Sequence, residues 1–140
     1  MNLFFRLTEF IYNSIFEFMG TFYINCKVEN HTKREESSIV KKLLVDTGSE
    51  YSWINESILN HIGVAVEKKD IPFKMANGQL ITREVGFVIF RYDKYFTIDE
   101  VVFAKKGDMQ LLGARTLEGL NLLVDSQNKK LVAAGPSVAA

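Results

Sequence analysis

The 140-residue chain has one cysteine, two prolines and two histidines, and the scarcity of each excludes a class of structure. The single cysteine, Cys26, cannot form a disulfide within the chain, so the fold does not require an oxidising compartment. Two prolines leave few interruptions in extended segments and, with eleven phenylalanines, favour a sheet-rich core. Two histidines are too few for a histidine-based metal or catalytic site. We therefore expect no metal and no other cofactor.

The chain also lacks an excess of charge of either sign. Lys and Arg number 17, Asp and Glu number 17, and the net charge is zero. Because a general nucleic-acid binder needs a positive field, we expect no nucleic-acid partner. The length and the 47% hydrophobic content fit one globular domain. No stretch has the form of a secretory signal, so a cytoplasmic location is expected.

Residues 1–18 differ from the rest of the chain. Their apolar residues recur at the spacing of an amphipathic helix. The segment is too short and too charged to span a bilayer. Three interpretations stay open: a helix packed on the domain, a surface or membrane-associating helix, or an extension upstream of a start at Met19. We treat residues 1–18 as an appendage to a domain over residues 19–134, with residues 135–140 as a tail.

The body of the chain has the pattern of successive short strands. Strict alternation after Thr21 predicts a half-buried strand in which Cys26 is a small buried hydrophobe. Asn77-Gly78 between two extended arms predicts a hairpin with a type I′ turn, in which both residues have positive φ. Further hairpins are predicted around residues 93–94 and 126–129, and short helices over residues 56–62 and 115–120. The pattern indicates an all-β closed barrel or sandwich.

The stretch with the clearest chemical content is Leu43-Leu44-Val45-Asp46-Thr47-Gly48-Ser49. It places a carboxylate on a tight turn at the end of an apolar strand. Gly48 lets the backbone approach the carboxylate of Asp46 and donate to it. Taken alone, the tripeptide leaves open the interpretation that Asp46 merely caps a turn.

The segment LLVDTGSEYSWI resembles the active-site strand and turn of the retropepsin-like aspartic peptidases. The terminal hairpin after LLGARTLEGLNLLVD is similar to a pattern in small bacterial and archaeal members of that family. A glycine-tipped hairpin over Phe73–Thr82 follows where that family has its flap. Leu111-Leu112-Gly113 matches the apolar-apolar-Gly motif before the family's short C-terminal helix. The resemblance covers about Gly20–Val132 and implies a retropepsin-like closed barrel. The chain departs from viral members at Ser49, where they usually carry alanine, and in having a single glycine at the flap tip.

The resemblance also implies an activity: hydrolysis of peptide bonds in a peptide or protein substrate by a water held between two carboxylates. The chain has one Asp-Thr-Gly, so the enzyme would be a homodimer with Asp46 from each copy at the twofold axis. The alternative is a retropepsin-like dimerisation or peptide-binding module with negligible turnover. The roles implied are Asp46 as the catalytic residue, Thr47, Gly48 and Ser49 as the active-site loop, Met75, Ala76, Asn77, Gly78 and Gln79 as the flap, and Glu50 with Arg115 as a structural ion pair near the interface.

Overall fold

The computed structural model describes residues 22–136, which form nine strands and two short helices. The segment 1–18 and the last four residues of the predicted tail lie outside the described residues. The strands are β1 (Tyr23–Asn30), β2 (Ser37–Val45), β3 (Ser52–Asn55), β4 (Lys68–Lys74), β5 (Leu80–Tyr92), β6 (Tyr95–Ala104), β7 (Leu111–Leu112), β8 (Leu122–Asp125) and β9 (Lys130–Ala133). The helices are α1 (Glu56–His61) and α2 (Ala114–Gly119).

Seven of the strands form one mixed sheet in the order β1-β2-β7-β3-β6-β5-β4. Strand β1 also pairs with β5, so the six strands from β1 to β5 in this order form a barrel. Strand β4 stays at an edge. The β2–β7 and β3–β6 pairs are parallel. Only two residue pairs join β2 to β7 and one joins β3 to β7, so the barrel is incomplete and uneven. The mostly-β class is confirmed, whereas the even closure of the predicted barrel is not.

The main core lies inside this barrel and follows from the alternation in the sequence. In β1 the side chains of Ile24, Cys26 and Val28 are buried while those between them face outward. The strand prediction for this segment is therefore confirmed, as is the burial of Cys26. Desolvation by burial raises the pKa of its thiol to about 12, which keeps the sulfur protonated and unreactive.

The apolar pattern of Met109–Gly113 predicts a strand closed by the glycine, but in the structure β7 contains only Leu111 and Leu112. The residues just before β7 are held by side-chain hydrogen bonds and an ion pair instead of by strand pairing. Gln110 accepts a hydrogen bond from the Asn55 backbone N–H at 2.8 Å, and Asp108 pairs with Arg83 at 2.7 Å. Those side-chain contacts explain why the apolar pattern overstated the strand.

An ion pair between the buried Glu29 and the partly exposed Arg91 holds β1 against β5 on the outer side of the sheet. The Nε atom of Arg91 lies 3.0 Å from a carboxylate oxygen of Glu29, which is 4% exposed, and the Lys27 ammonium lies 3.5 Å from the same oxygen. The Arg91 guanidinium also lies 4.7 Å from the centre of the Phe96 ring. The hydrogen bond from Arg91 lowers the pKa of the Glu29 carboxyl below its ordinary value.

This lowered pKa predicts a pH-dependent contribution to stability. Because the folded pKa lies below the unfolded one, the pair stabilises the fold fully above about pH 5, and the contribution is lost as the pH falls through the folded pKa. We expect Glu29→Gln to lower the free energy of unfolding by about 1–2 kcal/mol at pH 7. The difference from the native protein should shrink between pH 5 and pH 2 in urea titrations.

The matched control is Glu67→Gln, which changes an exposed carboxylate and should leave the pH dependence as it is. A constant difference between Glu29→Gln and the native protein across that pH range would contradict the assignment.

Candidate functional site

Asp46 follows directly on β2 and lies on a tight turn. Its carboxylate oxygen Oδ1 accepts a hydrogen bond from the Gly48 backbone N–H at 2.9 Å. Its backbone carbonyl accepts another from the Ser49 N–H at 3.2 Å. Asp46 is half-buried, while Thr47 and Gly48 are exposed. The predicted donation from the Gly48 backbone to the carboxylate is therefore confirmed.

Strand β7 braces this turn because it lies between β2 and β3, which are consecutive in the chain. Leu44 and Val45 of β2 pair with β7 in parallel, and Trp53 of β3 pairs with its other edge. The Asp46 N–H donates to the carbonyl of Leu112 at 3.0 Å. The chain must therefore turn across the end of β7 to pass from one strand to the next, and that crossing contains Asp46.

Gly113 marks the point where the two backbones of the crossing approach most closely. A Cβ atom built on Gly113 would lie 2.4 Å from the carbonyl oxygen of Tyr51 and 2.9 Å from that of Glu50. The next residue, Ala114, donates its N–H to the Ser49 carbonyl at 2.7 Å. Only glycine fits without displacing backbone, which gives the glycine of the Leu111-Leu112-Gly113 motif a physical reason.

The predicted flap is the hairpin formed by β4 and β5, with Met75, Ala76, Asn77, Gly78 and Gln79 at its tip. The Met75 N–H donates to the Gln79 carbonyl, and the Gly78 N–H donates to the Met75 carbonyl, both at 2.8 Å. Gly78 has a φ of +82°, whereas Asn77 is not among the described residues with positive φ.

The prediction of a type I′ turn at this tip was therefore wrong. The structure has a four-residue turn over residues 75–78, closed by a glycine in the left-handed region, a common alternative hairpin geometry. The local reason is the Asn77 side chain, whose Oδ1 accepts the Gln79 N–H at 2.7 Å. This short side-chain bond to the residue two positions on turns the chain without a positive φ at Asn77.

Below the hairpin lies a second apolar cluster, separate from the main core. The Phe73 ring lies 5.3 Å from that of Tyr51 and 5.2 Å from that of Trp53, measured between centroids. Leu44, near the end of the strand that leads into Asp46, belongs to the same cluster. The hairpin and the end of β2 that carries the Asp46 turn thus share one face of the sheet. The second cluster comprises Leu44, Trp53, Val85, Val102, Ala104 and Leu111, with Tyr51, Ile71, Phe73, Met75 and Ile81 packed against them.

The predicted ion pair between Glu50 and Arg115 is corrected by the structure. Among the described residues Arg115 pairs with Glu100, at 3.6 Å between Nη2 and Oε1, and its guanidinium lies 4.8 Å from the centre of the Tyr51 ring. The Glu50 backbone carbonyl accepts the Arg115 N–H at 3.1 Å. The side chain of Glu50 is exposed. Helix α2 packs on β6, the strand that contains Glu100, and this packing brings Arg115 close to Glu100 instead.

Two buried hydroxyl residues beside the site were not predicted. Ser52 and Thr116 are both 0% exposed, and their side-chain oxygens lie 2.6 Å apart. They are 64 residues apart in the chain, so no local pattern connects them. The one available signal was a serine inside the otherwise apolar stretch Tyr51–Ile54.

A scan against protein-family models finds no family that matches the chain, and a search of curated proteins finds no match. Within residues 22–136 no group of three or more His, Cys, Asp or Glu side chains could hold a metal ion. None of the helices in that part of the chain has the length and apolar character needed to cross a membrane. The candidate site therefore consists of the Asp46 turn, the β7 segment behind it, and the hairpin with its apolar floor.

The close approach at Gly113 predicts a stability effect. We expect Gly113→Ala to lower the free energy of unfolding by about 1–3 kcal/mol, because its Cβ would push the Tyr51 backbone away. Gly78→Ala is the matched control, since a Cβ there meets nothing within 4 Å and costs only the strain of a positive φ, about 1 kcal/mol.

Both variants would be compared with the native protein by urea unfolding. Equal losses in the two variants would contradict a tight backbone contact behind the Asp46 turn.

Proposed function

We propose that this protein is an aspartic endopeptidase whose active site is completed by a second copy of the chain. The observation that carries the proposal is the Asp46 turn, in which a half-exposed carboxylate accepts the Gly48 N–H on a loop braced by β7. The end of β2 that carries the turn shares one face of the sheet with a glycine-tipped hairpin over an apolar floor. These features agree with the roles implied by the resemblance to retropepsin-like peptidases.

A second copy is required because the chain has a single Asp-Thr-Gly. No other aspartate of the chain is followed by Thr-Gly or Ser-Gly, and two of them, Asp108 and Asp125, hold loops together. Asp108 pairs with Arg83 at 2.7 Å and accepts the Lys105 N–H at 2.8 Å. Asp125 accepts the backbone and side-chain N–H groups of Asn128. The second carboxylate therefore comes from Asp46 of another protomer, and a twofold axis supplies it.

In the proposed mechanism the two carboxylates hold one water between them and share one proton. The ionised carboxylate takes a proton from the water as it attacks the scissile carbonyl carbon, and the protonated one donates a hydrogen bond to the carbonyl oxygen. The proton taken from the water then passes to the leaving nitrogen as the C–N bond breaks. This division of roles is the general scheme for aspartic peptidases.

The surrounding residues hold this arrangement. The Gly48 N–H keeps the carboxylate in place, and the Ser49 hydroxyl donates to the Tyr51 carbonyl at 2.8 Å, which stiffens the loop. Thr47 is exposed and available to bond across the axis. The hairpin tip, residues 75–79, would close over an extended peptide, whose backbone pairs with the tip as an added strand does.

The decisive variant is Asp46→Asn. The amide keeps the shape of the side chain but cannot act as the base for water, so we expect peptide cleavage to be lost. Dimerisation and thermal stability at neutral pH should be kept or raised, because the amides remove the repulsion that opposes placing two carboxylates side by side. A peptide-library digest, light scattering and thermal melts at pH 7 and pH 4 measure these effects.

A peptide-binding module would give a different result. With Asp46 acting only as a turn cap, Asp46→Asn should cost about 1 kcal/mol of stability and have no effect on turnover. Cleavage by the purified variant, or full activity from a native protein that stays monomeric across the assay range, would exclude the proposed enzyme.

The flap role is tested by a pair of glycine variants. Gly78 and Gly107 both have positive φ, +82° and +93°, and a Cβ on either meets nothing within 4 Å. Gly78→Val and Gly107→Val should therefore strain the backbone to a similar degree. We expect only Gly78→Val to raise KM, by roughly tenfold, because it stiffens and misdirects the lid. An equal change in KM for both variants, or none for either, would show that this hairpin does not cover the substrate.

A further inference from the structure

We propose that Asp99, Thr116 and Ser52 are positioning residues that orient the Asp46 turn through a directed chain of hydrogen bonds. The inference rests on the proposed function for its catalytic consequence, whereas its structural part concerns the turn itself. None of the three side chains lies in the Asp-Thr-Gly segment or the flap. Each belongs to a different element: Asp99 to β6, Thr116 to α2 and Ser52 to β3.

The direction of the chain follows from which atoms can donate. The Thr116 hydroxyl donates to Oδ2 of Asp99 at 2.9 Å, and an ionised carboxylate can only accept. Thr116 has thereby used its one proton, so in the 2.6 Å contact with Ser52 the serine hydroxyl must donate. The oxygen of Ser52 in turn accepts the Gly113 backbone N–H at 2.9 Å. In each hydrogen bond of this series the donor therefore lies on the Gly113 side and the acceptor on the Asp99 side.

Both ends of the chain are anchored. At one end, the Glu100 N–H donates to Oδ1 of Asp99 at 2.7 Å, so both carboxylate oxygens are engaged and its orientation is set. At the other end, Gly113 follows Leu112, whose carbonyl accepts the Asp46 N–H at 3.0 Å. Asp99 is thus connected to the backbone of Asp46 through two hydroxyls and one short segment of main chain.

Burial makes this connection sensitive to a single hydroxyl. Ser52 and Thr116 are 0% exposed, and Gly113 is also buried, so water cannot replace a missing partner there without a rearrangement. Removing the Thr116 hydroxyl would leave the Ser52 proton without its acceptor and free β3 to shift against α2. Since Gly113 has no space to move toward Tyr51, the displacement would pass to the turn at Asp46. Small displacements of a reacting group reduce the rate strongly.

The test compares Thr116→Val, which replaces the hydroxyl by a methyl of similar size, with Thr116→Ser, which keeps the hydroxyl and loses the methyl. In Thr116→Val we expect kcat to fall roughly tenfold to a hundredfold with KM within about twofold of native. Thr116→Ser should restore kcat to within about threefold of native. The amide hydrogens of Asp46 and Gly113, followed by NMR, should exchange at least about tenfold faster in Thr116→Val only.

Ile62→Val serves as the control for general destabilisation, because Ile62 is buried in the main core and bonds through its backbone to Ile58 and Asn30, outside the series of hydrogen bonds. It should lower the thermal midpoint and leave kcat and the two amides unchanged. Ser52→Ala removes the next hydroxyl in the series of hydrogen bonds. It replaces Thr116→Val in the test if Thr116→Val does not fold.

The outcomes separate this inference from the proposed function. If the native dimer cleaves no peptide, the proposed function fails. The exchange rates of the Asp46 and Gly113 amides still show whether the series of hydrogen bonds orients the Asp46 turn. If cleavage is present, unchanged kcat and unchanged exchange in both Thr116→Val and Ser52→Ala overturn the positioning role. Equal losses in Thr116→Val and Thr116→Ser would overturn it too, since packing rather than the hydroxyl would then be responsible.

Discussion

The insertion of β7 between β2 and β3 is the constraint on which the rest of the site depends. Strands β2 and β3 are consecutive in the chain, but in the sheet they are separated by β7, which follows β3 by about sixty residues. Residues 46–51 must therefore cross the end of β7, and the crossing places Asp46 on a turn. The parallel pairing of β2 with β7 also sets the position of Gly113. Both Asp46 and Gly113 follow the carboxyl ends of adjacent parallel strands, so they lie at the same end of the sheet.

Two different kinds of interaction support the crossing from opposite sides. On one side the buried Ser52 hydroxyl accepts the Gly113 N–H, and Thr116 in turn accepts the Ser52 proton. On the other side the aromatic rings of Tyr51, Trp53 and Phe73 pack together beneath the hairpin. The polar contacts fix direction, because each donor has one acceptor, whereas the apolar contacts supply most of the burial. A rigid carboxylate beside an apolar surface is the combined result.

Several of the described ion pairs connect strands and loops that are distant in the chain. Several charged residues lie in such pairs, among them Arg91 with Glu29 and Arg83 with Asp108. For Asp108, burial alone would raise the pKa of the carboxyl, but the hydrogen bonds from Arg83 and from the Lys105 backbone outweigh it, and the pKa is lowered. These paired carboxylates hold loops and strands together. The Asp46 carboxylate accepts a backbone N–H of its own turn.

By itself the sequence determined the local features of this protein: the strand alternation of β1, the short helix α1, the two later hairpins and the turn that carries Asp46. These depend on residues close together in the chain, so periodicity and turn residues are sufficient to predict them. The tertiary structure alone decided the shortness of β7, the pairing of Arg115 with Glu100 instead of Glu50, and the meeting of Ser52 with Thr116. Each of these depends on which distant segments the sheet order brings together, and no local pattern records that order. The turn at Asn77-Gly78 lies between the two cases: the hairpin was predictable, but its type was decided by one side-chain hydrogen bond to Gln79.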